Sequence, residues 1–134
     1  MIRQIFVNLP VKDLERSKTF FKGIGFSFNA QFTDDTAACM VISDTIYAML
    51  LTHPKAKQFT SKEIADAHTT TEVFVALTVD NRSQVQELVD RAIRNGAKES
   101  RPPQDYGFMF GRSFEDPDGH IWEVFWMDPS QIQK

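Results

Sequence analysis

One short pattern occurs twice in this chain, and the repetition constrains the fold more than any single residue does. Val7-Asn8-Leu9-Pro10-Val11 alternates apolar with other residues, and Val75-Ala76-Leu77-Thr78-Val79 has the same VxLxV spacing. Each reads as a short strand that runs into a helix. Asp13 is the expected N-cap of the first helix, which carries Leu14, Phe20 and Phe21. Asn81 or Ser83, each followed three residues later by a Gln, offers a capping box for the second. Val85, Leu88, Val89, Ala92 and Ile93 then follow the i, i+3, i+4, i+7, i+8 spacing of one apolar helix face. Gly25 and Gly96 mark the helix ends, where a left-handed residue is needed.

After each helix the period falls to two. Phe26, Phe28, Ala30 and Phe32 alternate with polar residues, and strand-like runs follow at about 36–43 and 45–52. The second half offers a weaker strand near 97–101, then runs at about 108–115 and 120–127 joined by an Asp116-Pro117-Asp118-Gly119 turn. Each half therefore reads βαβββ, an α+β architecture. The 134 residues fit a single domain: a first module over about 1–53, a connector over about 54–72 and a second module over about 73–134. "TSKE" in the connector predicts a short helix near 61–67 lying over the surface.

Composition removes several classes of function. The net charge is −3 with no run of Lys or Arg, which argues against a nucleic-acid partner. Twelve Phe against two Tyr point to an aromatic interior without polar handles. The single Cys39 lies in an apolar run and is read as a buried thiol, not half of a disulfide framework. The opening MIRQIFVNLP carries too short an apolar run for a signal peptide, and no segment approaches the ~20 apolar residues of a membrane span. The expectation is a soluble cytoplasmic protein with no membrane association.

"VNLPVKDLERSKTFFKGIGF" opening the first module and "FEDPDGHIWEVFW" closing the second resemble the vicinal oxygen chelate superfamily, the group of glyoxalase I, extradiol dioxygenases, fosfomycin-resistance enzymes and bleomycin-binding proteins. The likeness covers nearly the whole chain. It implies two tandem βαβββ modules forming a curved mixed-sheet cup, and a homodimer. In metal-dependent members a His or Gln on each module's first strand and a carboxylate on its last bind a divalent ion. Glu123 matches the carboxylate of the second module. Phe6 and Phe74 stand where such members place His, and Ala48-Met49-Leu50-Leu51 stands where the first module would supply its last-strand ligand. A phenyl ring has no lone pair for a cation, so neither metal nor cofactor is expected, with a divalent ion as the alternative.

Glu123 is the candidate catalytic residue because a carboxylate among Ile121, Trp122, Val124 and Phe125 needs a partner or a task. A donor such as Arg112 or Asn8, a metal or a substrate proton would each supply one. Strand parity puts Glu123 with Ile121 and Phe125, Phe6 with Asn8, and Phe74 with Ala76 and Thr78. Under the superfamily's face assignment these line the cup, so Phe6, Asn8, Phe74, Thr78 and Phe125 are candidate ligand-binding residues. Arg112 joins them as an anion-binding group or as a partner of Glu123 or Asp116, and Tyr106 as a ring able to close over a bound molecule. His120, on the face opposite Glu123, and His68 read as surface residues, and His53 sits where it could cap the cup mouth. His53, His68, Glu72 and Glu123 form a further candidate metal set with no recurrent spacing. The expected function is that of a glyoxalase-like protein binding a small, partly apolar molecule. The alternatives are a metal-dependent lyase, isomerase or dioxygenase using Glu123, and a drug-sequestering protein of the bleomycin-resistance type.

Overall fold

The repeat written in the sequence is built twice. In the computed structural model, which describes residues 1–131, the chain divides into a unit over Met1–Ala65 and a second from Asp66 onward. The first unit runs β1 (Ile5–Val11), α1 (Leu14–Gly23), β2 (Ser27–Asn29), β3 (Ala37–Val41), β4 (Ile46–Thr52) and α2 (His53–Ala56). The second runs β5 (Phe74–Thr78), α3 (Arg82–Arg94), β6 (Lys98–Glu99), β7 (Gln104–Asp105), β8 (Met109–Glu115) and β9 (Ile121–Met127). The two sheets have matching orders, β1-β4-β3-β2 and β5-β9-β8-β6, with β7 paired to the side of β8. In each, the first strand is parallel to the last, and the remaining pairings are antiparallel. The fold is thus α+β, with two tandem βαβββ modules on mixed sheets.

Local chemistry sets the helix limits. The Asp13 carboxylate accepts the backbone N–H of Arg16 at 3.1 Å and starts α1. Asn81 does the same for α3, accepting from Gln84 N at 2.9 Å, while the Gln84 side chain reaches back to the N–H of Asp80. That is the expected capping box, shifted one residue outward. Both helices close with the same pair of bonds. Gly25 N donates to Lys22 O and Phe26 N to Phe21 O; Gly96 N donates to Ile93 O and Ala97 N to Ala92 O. This doubled 5→2 and 6→1 pattern needs a positive φ at the glycine, observed as 109° at Gly25 and 98° at Gly96. Replacing Asn81 with alanine removes the side-chain acceptor and is expected to cost about 1 kcal/mol. A urea melt checks it, and an unchanged midpoint would assign the cap no energetic weight.

One face of each sheet is closed by its helix. In the first unit Leu9, Val11, Ala38, Met40, Ala48 and Leu50 are buried, as are Leu14, Phe20 and Phe21 of α1, which lies against β3 and β4. In the second, Val85, Val89 and Ala92 of α3 are buried, and Phe114 and Trp122 stack at 6.4 Å within the sheet that α3 covers. Each such pair of layers removes apolar area from water at roughly 25 cal/mol per Å2.

Two expectations fail. The strand expected over 26–32 stops at Asn29, whose side chain accepts the N–H of Gln31 and starts a 3-10 turn over Ala30–Phe32. The helix expected at 61–67 is absent. Thr60 Oγ1 accepts from Lys62 N, two residues on, so the local bond closes a turn instead of a capping box. A short helix forms earlier instead, at His53–Ala56, capped by Thr52 with Pro54 in its first turn. Nor does this stretch merely cross the surface. Ala56 packs in a buried cluster with Ala37 and Leu51, and Met49 and Ile64 pack against it.

Candidate functional site

The β8–β9 ladder places Glu123 opposite Ser113, Phe125 opposite Gly111 and Met127 opposite Met109. Directly paired residues share a sheet face. The face carrying Glu123 is therefore floored by Phe125, Gly111 and Met109, and β5 adds Phe74, Ala76 and Thr78 at its edge through pairing with Ile121, Glu123 and Phe125. Above β8 and β9 lies a hollow of about 190 Å3 bordered by Arg101, Pro102, Gln104, Met109, Glu123 and Phe125. Gly111 opens its floor: a Cβ there would stand 3.3 Å from Phe125 Cβ. Sequence reasoning missed Arg101, Gln104, Met109 and Gly111. Parity along β8 could have found the last two; Arg101 lies on an irregular run where parity gives no guide, and Gln104 opens β7, a two-residue strand too short to show a period, where it pairs with Gly111.

Glu123 is half-buried, its side chain 30% exposed, and its partner is Arg101, with 3.7 Å between Oε1 and Nη2. That is a loose ion pair, beyond hydrogen-bond length. The expected donors are elsewhere. Asn8 donates to Phe6 O within its own strand at 3.3 Å. Arg112, expected beside Glu123 or Asp116, pairs in register with the fully buried Val124 and so lies on the α3 face. Its guanidinium bonds both oxygens of Glu99, at 3.2 and 2.9 Å, as well as Gln86 and Asp90 on α3, at 2.6 and 2.8 Å. These acceptors raise its pKa against the opposing effect of burial, Glu99 contributing most. Arg112 borders the hollow, yet its charge is committed to holding the helix on the sheet and is not available to a ligand there.

His120 corrects the sequence reading most directly. Parity does put it opposite Glu123, but that face is the helix-covered one, and His120 is 2% exposed. Its Nδ1 lies 2.6 Å from Glu72 Oε1. Beside it, Asp116 Oδ1 accepts the N–H groups of Asp118 and His120 at 2.9 and 3.0 Å, and Oδ2 accepts the indole N–H of Trp122 at 2.9 Å. Burial pushes the Asp116 carboxyl above the ordinary carboxylate range, opposed by the neighbouring His120 and these donors. Gly119 completes the turn at φ +87°, where a Cβ would come within 2.7 Å of the Ala67 and His68 backbone. The DPDG signature is a structural staple.

The other candidates separate. Phe125 borders the hollow with Glu123. Phe74 and Thr78 share its sheet face but are exposed and do not border it. Tyr106 is exposed and donates its hydroxyl to Gln104 Oε1 at 3.0 Å, so it steadies a bordering residue without reaching the hollow. In the first unit, Phe6 stacks on Tyr47 at 4.7 Å. Asn8 borders a second pocket of about 410 Å3, walled by Pro10, Leu51, Phe59 and Ile64. Within the stretch Ala48-Met49-Leu50-Leu51, the position matching Glu123 is Met49. Met49 faces Asn8 across β1–β4 as Glu123 faces Ala76 across β5–β9, and Leu50 is buried on the α1 side.

This donor set does not fit a divalent ion. The matching positions hold Phe6, Phe74 and Met49, and the ion-pair partner of the Glu123 carboxylate is a guanidinium. Among the described residues no three His, Cys, Asp or Glu side chains are grouped to hold a metal. Of the further candidate set, His68, Glu72 and Glu123, all in the second unit, form no such group, and Glu72 is engaged by His120. No described helix is long and apolar enough to cross a membrane.

Known proteins give the architecture a context. A hypothetical protein from S. aureus superposes with a TM-score of 0.79 at 25% identity, over 94% of each chain. The fosfomycin resistance protein FosX from Mesorhizobium loti gives 0.70 at 18%, over 98% of each. A bleomycin resistance determinant encoded on the transposon Tn5 gives 0.65 at 18%, over 93% of this chain and 98% of that one. No curated protein matches. The profile of one family spans both βαβββ units, from residue 3 to residue 124, one past Glu123, and by it the chain belongs to the Glyoxalase/Bleomycin resistance protein/Dioxygenase superfamily.

Proposed function

We propose that the protein binds a small, partly apolar molecule in the hollow over β8 and β9, with Glu123 as its polar anchor, and works as a homodimer in the cytoplasm. The superfamily name alone spans lyases, drug-resistance proteins and dioxygenases, so the fold does not select a reaction. One observation carries the reading. A half-buried carboxylate stands at the edge of an apolar floor, and its partner is a loose ion pair to an exposed arginine. Few polar groups on apolar walls are the usual make-up of a small-molecule site.

Calorimetry with small aromatic and aliphatic compounds tests the proposal. We expect binding that weakens roughly 10-fold, or about 1.4 kcal/mol, in Glu123→Gln, with the melting temperature of the unliganded protein unchanged. That variant keeps the shape and removes the charge. Should affinity hold while a turnover is lost, Glu123 is a general base and the protein an enzyme. One tightly bound equivalent of Ni, Zn, Fe or Mn per chain in the purified protein would overturn the metal-independent reading. Light scattering at the chain mass instead of twice that mass would remove the dimer.

A further inference from the structure

Arg101 and Glu123 put opposite charges 3.7 Å apart at the border of one apolar hollow. Among the described residues neither side chain makes a second ion pair or a side-chain hydrogen bond. The guanidinium offers five N–H donors in a planar fork suited to a carboxylate, and the Glu123 oxygens offer about four lone-pair sites. The Arg101 side chain is 56% exposed, so it can turn from Glu123 toward an incoming anion without leaving water.

A ligand with only a carboxylate would draw Arg101 away and leave the half-buried Glu123 covered without its partner, and one with only an ammonium would pair with Glu123 but leave the Arg101 fork unused in water. Stranding a charge away from water is costly. A ligand with both charges, a carboxylate toward Arg101 and an ammonium toward Glu123, replaces the loose pair with two close ones. Its body must be apolar, because Met109, Gly111 and Phe125 form the floor. Its size is bounded as well. A cavity of roughly 150 Å3 takes a benzene ring, and this one is about 190 Å3. One ring or a branched aliphatic group fits, with the charged head at the border.

From these observations we infer that the hollow takes an apolar α-amino acid or a close zwitterionic analogue, held by Arg101 at the carboxylate and Glu123 at the ammonium. This rests on the small-molecule reading and names its ligand class.

The probes are L-phenylalanine, L-leucine, 3-phenylpropionate, which lacks the ammonium, and phenethylamine, which lacks the carboxylate. Calorimetry is run on the full chain and on Arg101→Gln and Glu123→Gln, with circular-dichroism melts to confirm that each is folded. At least one amino acid should bind 10-fold or more tighter than either singly charged probe. Arg101→Gln should erase its advantage over phenethylamine, and Glu123→Gln its advantage over 3-phenylpropionate. If a singly charged probe binds as tightly as the amino acids, the ligand class is wrong while the small-molecule site stands. If no probe binds the folded wild type, both are wrong at this hollow.

Discussion

Replacing Asp116 with alanine is expected to lower the unfolding free energy by roughly 3–5 kcal/mol, the largest single effect outside the apolar core. The carboxylate accepts from two backbone N–H groups and from the Trp122 indole, and both Asp116 and Trp122 are buried. Alanine leaves three donors without an acceptor, each costing about 1–3 kcal/mol, less what is recovered by no longer burying the carboxyl. Urea denaturation followed by tryptophan fluorescence reads both the midpoint and the Trp122 environment. A loss below about 1 kcal/mol would mean that water or a repacked neighbour satisfies those donors, and the staple would then not be what holds the turn.

The same residue gives a pH dependence of definite sign. Burial raises the Asp116 pKa in the folded protein above its unfolded value. Between the two values the folded state holds a proton that the unfolded state has lost, so this group's contribution falls as pH rises. It is fully present below the ordinary carboxylate value near ~3.9 and is lost as pH climbs through the raised folded value. Asp116→Asn, which does not titrate, should therefore fall further behind the wild type as pH is lowered from neutral.

The second large effect is expected at Arg112. Its side chain is 10% exposed and joins β8 to Glu99 on β6 and to Asp90 and Gln86 on α3. Arg112→Met keeps most of the apolar stem and removes the charge, leaving Glu99 half-buried without its fork. Breaking a fully buried pair costs about 3–5 kcal/mol. Glu99 and Asp90 are 30% and 53% exposed, so water takes up part of that and about 2–3 kcal/mol is expected. Arg112→Lys should recover little, since an ammonium cannot reach both Glu99 oxygens and the helix at once. Loss of ligand binding at constant stability in Arg112→Met would return this arginine to the site.

The helices and the antiparallel hairpins were legible because their signals are local. Asp13 and Asn81 cap where they stand, the two glycines close both helices with the same pair of bonds, and the i, i+4, i+7 spacing of α3 turns Val85, Val89 and Ala92 inward. Parity along β9 likewise placed Glu123 with Phe125, away from Trp122 and Val124. Where a neighbouring residue offered the backbone a competing bond, as at Asn29 and Thr60, the local reading failed.

The duplicated βαβββ order, the limits of α1 and α3 and the face that Glu123 shares with Phe125 on β9 were thus determined by the sequence alone, since each depends on bonds spanning a handful of residues. Tertiary structure alone decided which charges meet. Arg101 reaches Glu123, Arg112 turns to Glu99 thirteen residues away and to α3 beyond, and His120 is buried against Glu72 from forty-eight residues earlier. A long side chain finds its partner through the register of strands and the packing of a helix, and no periodicity within a segment encodes that distance.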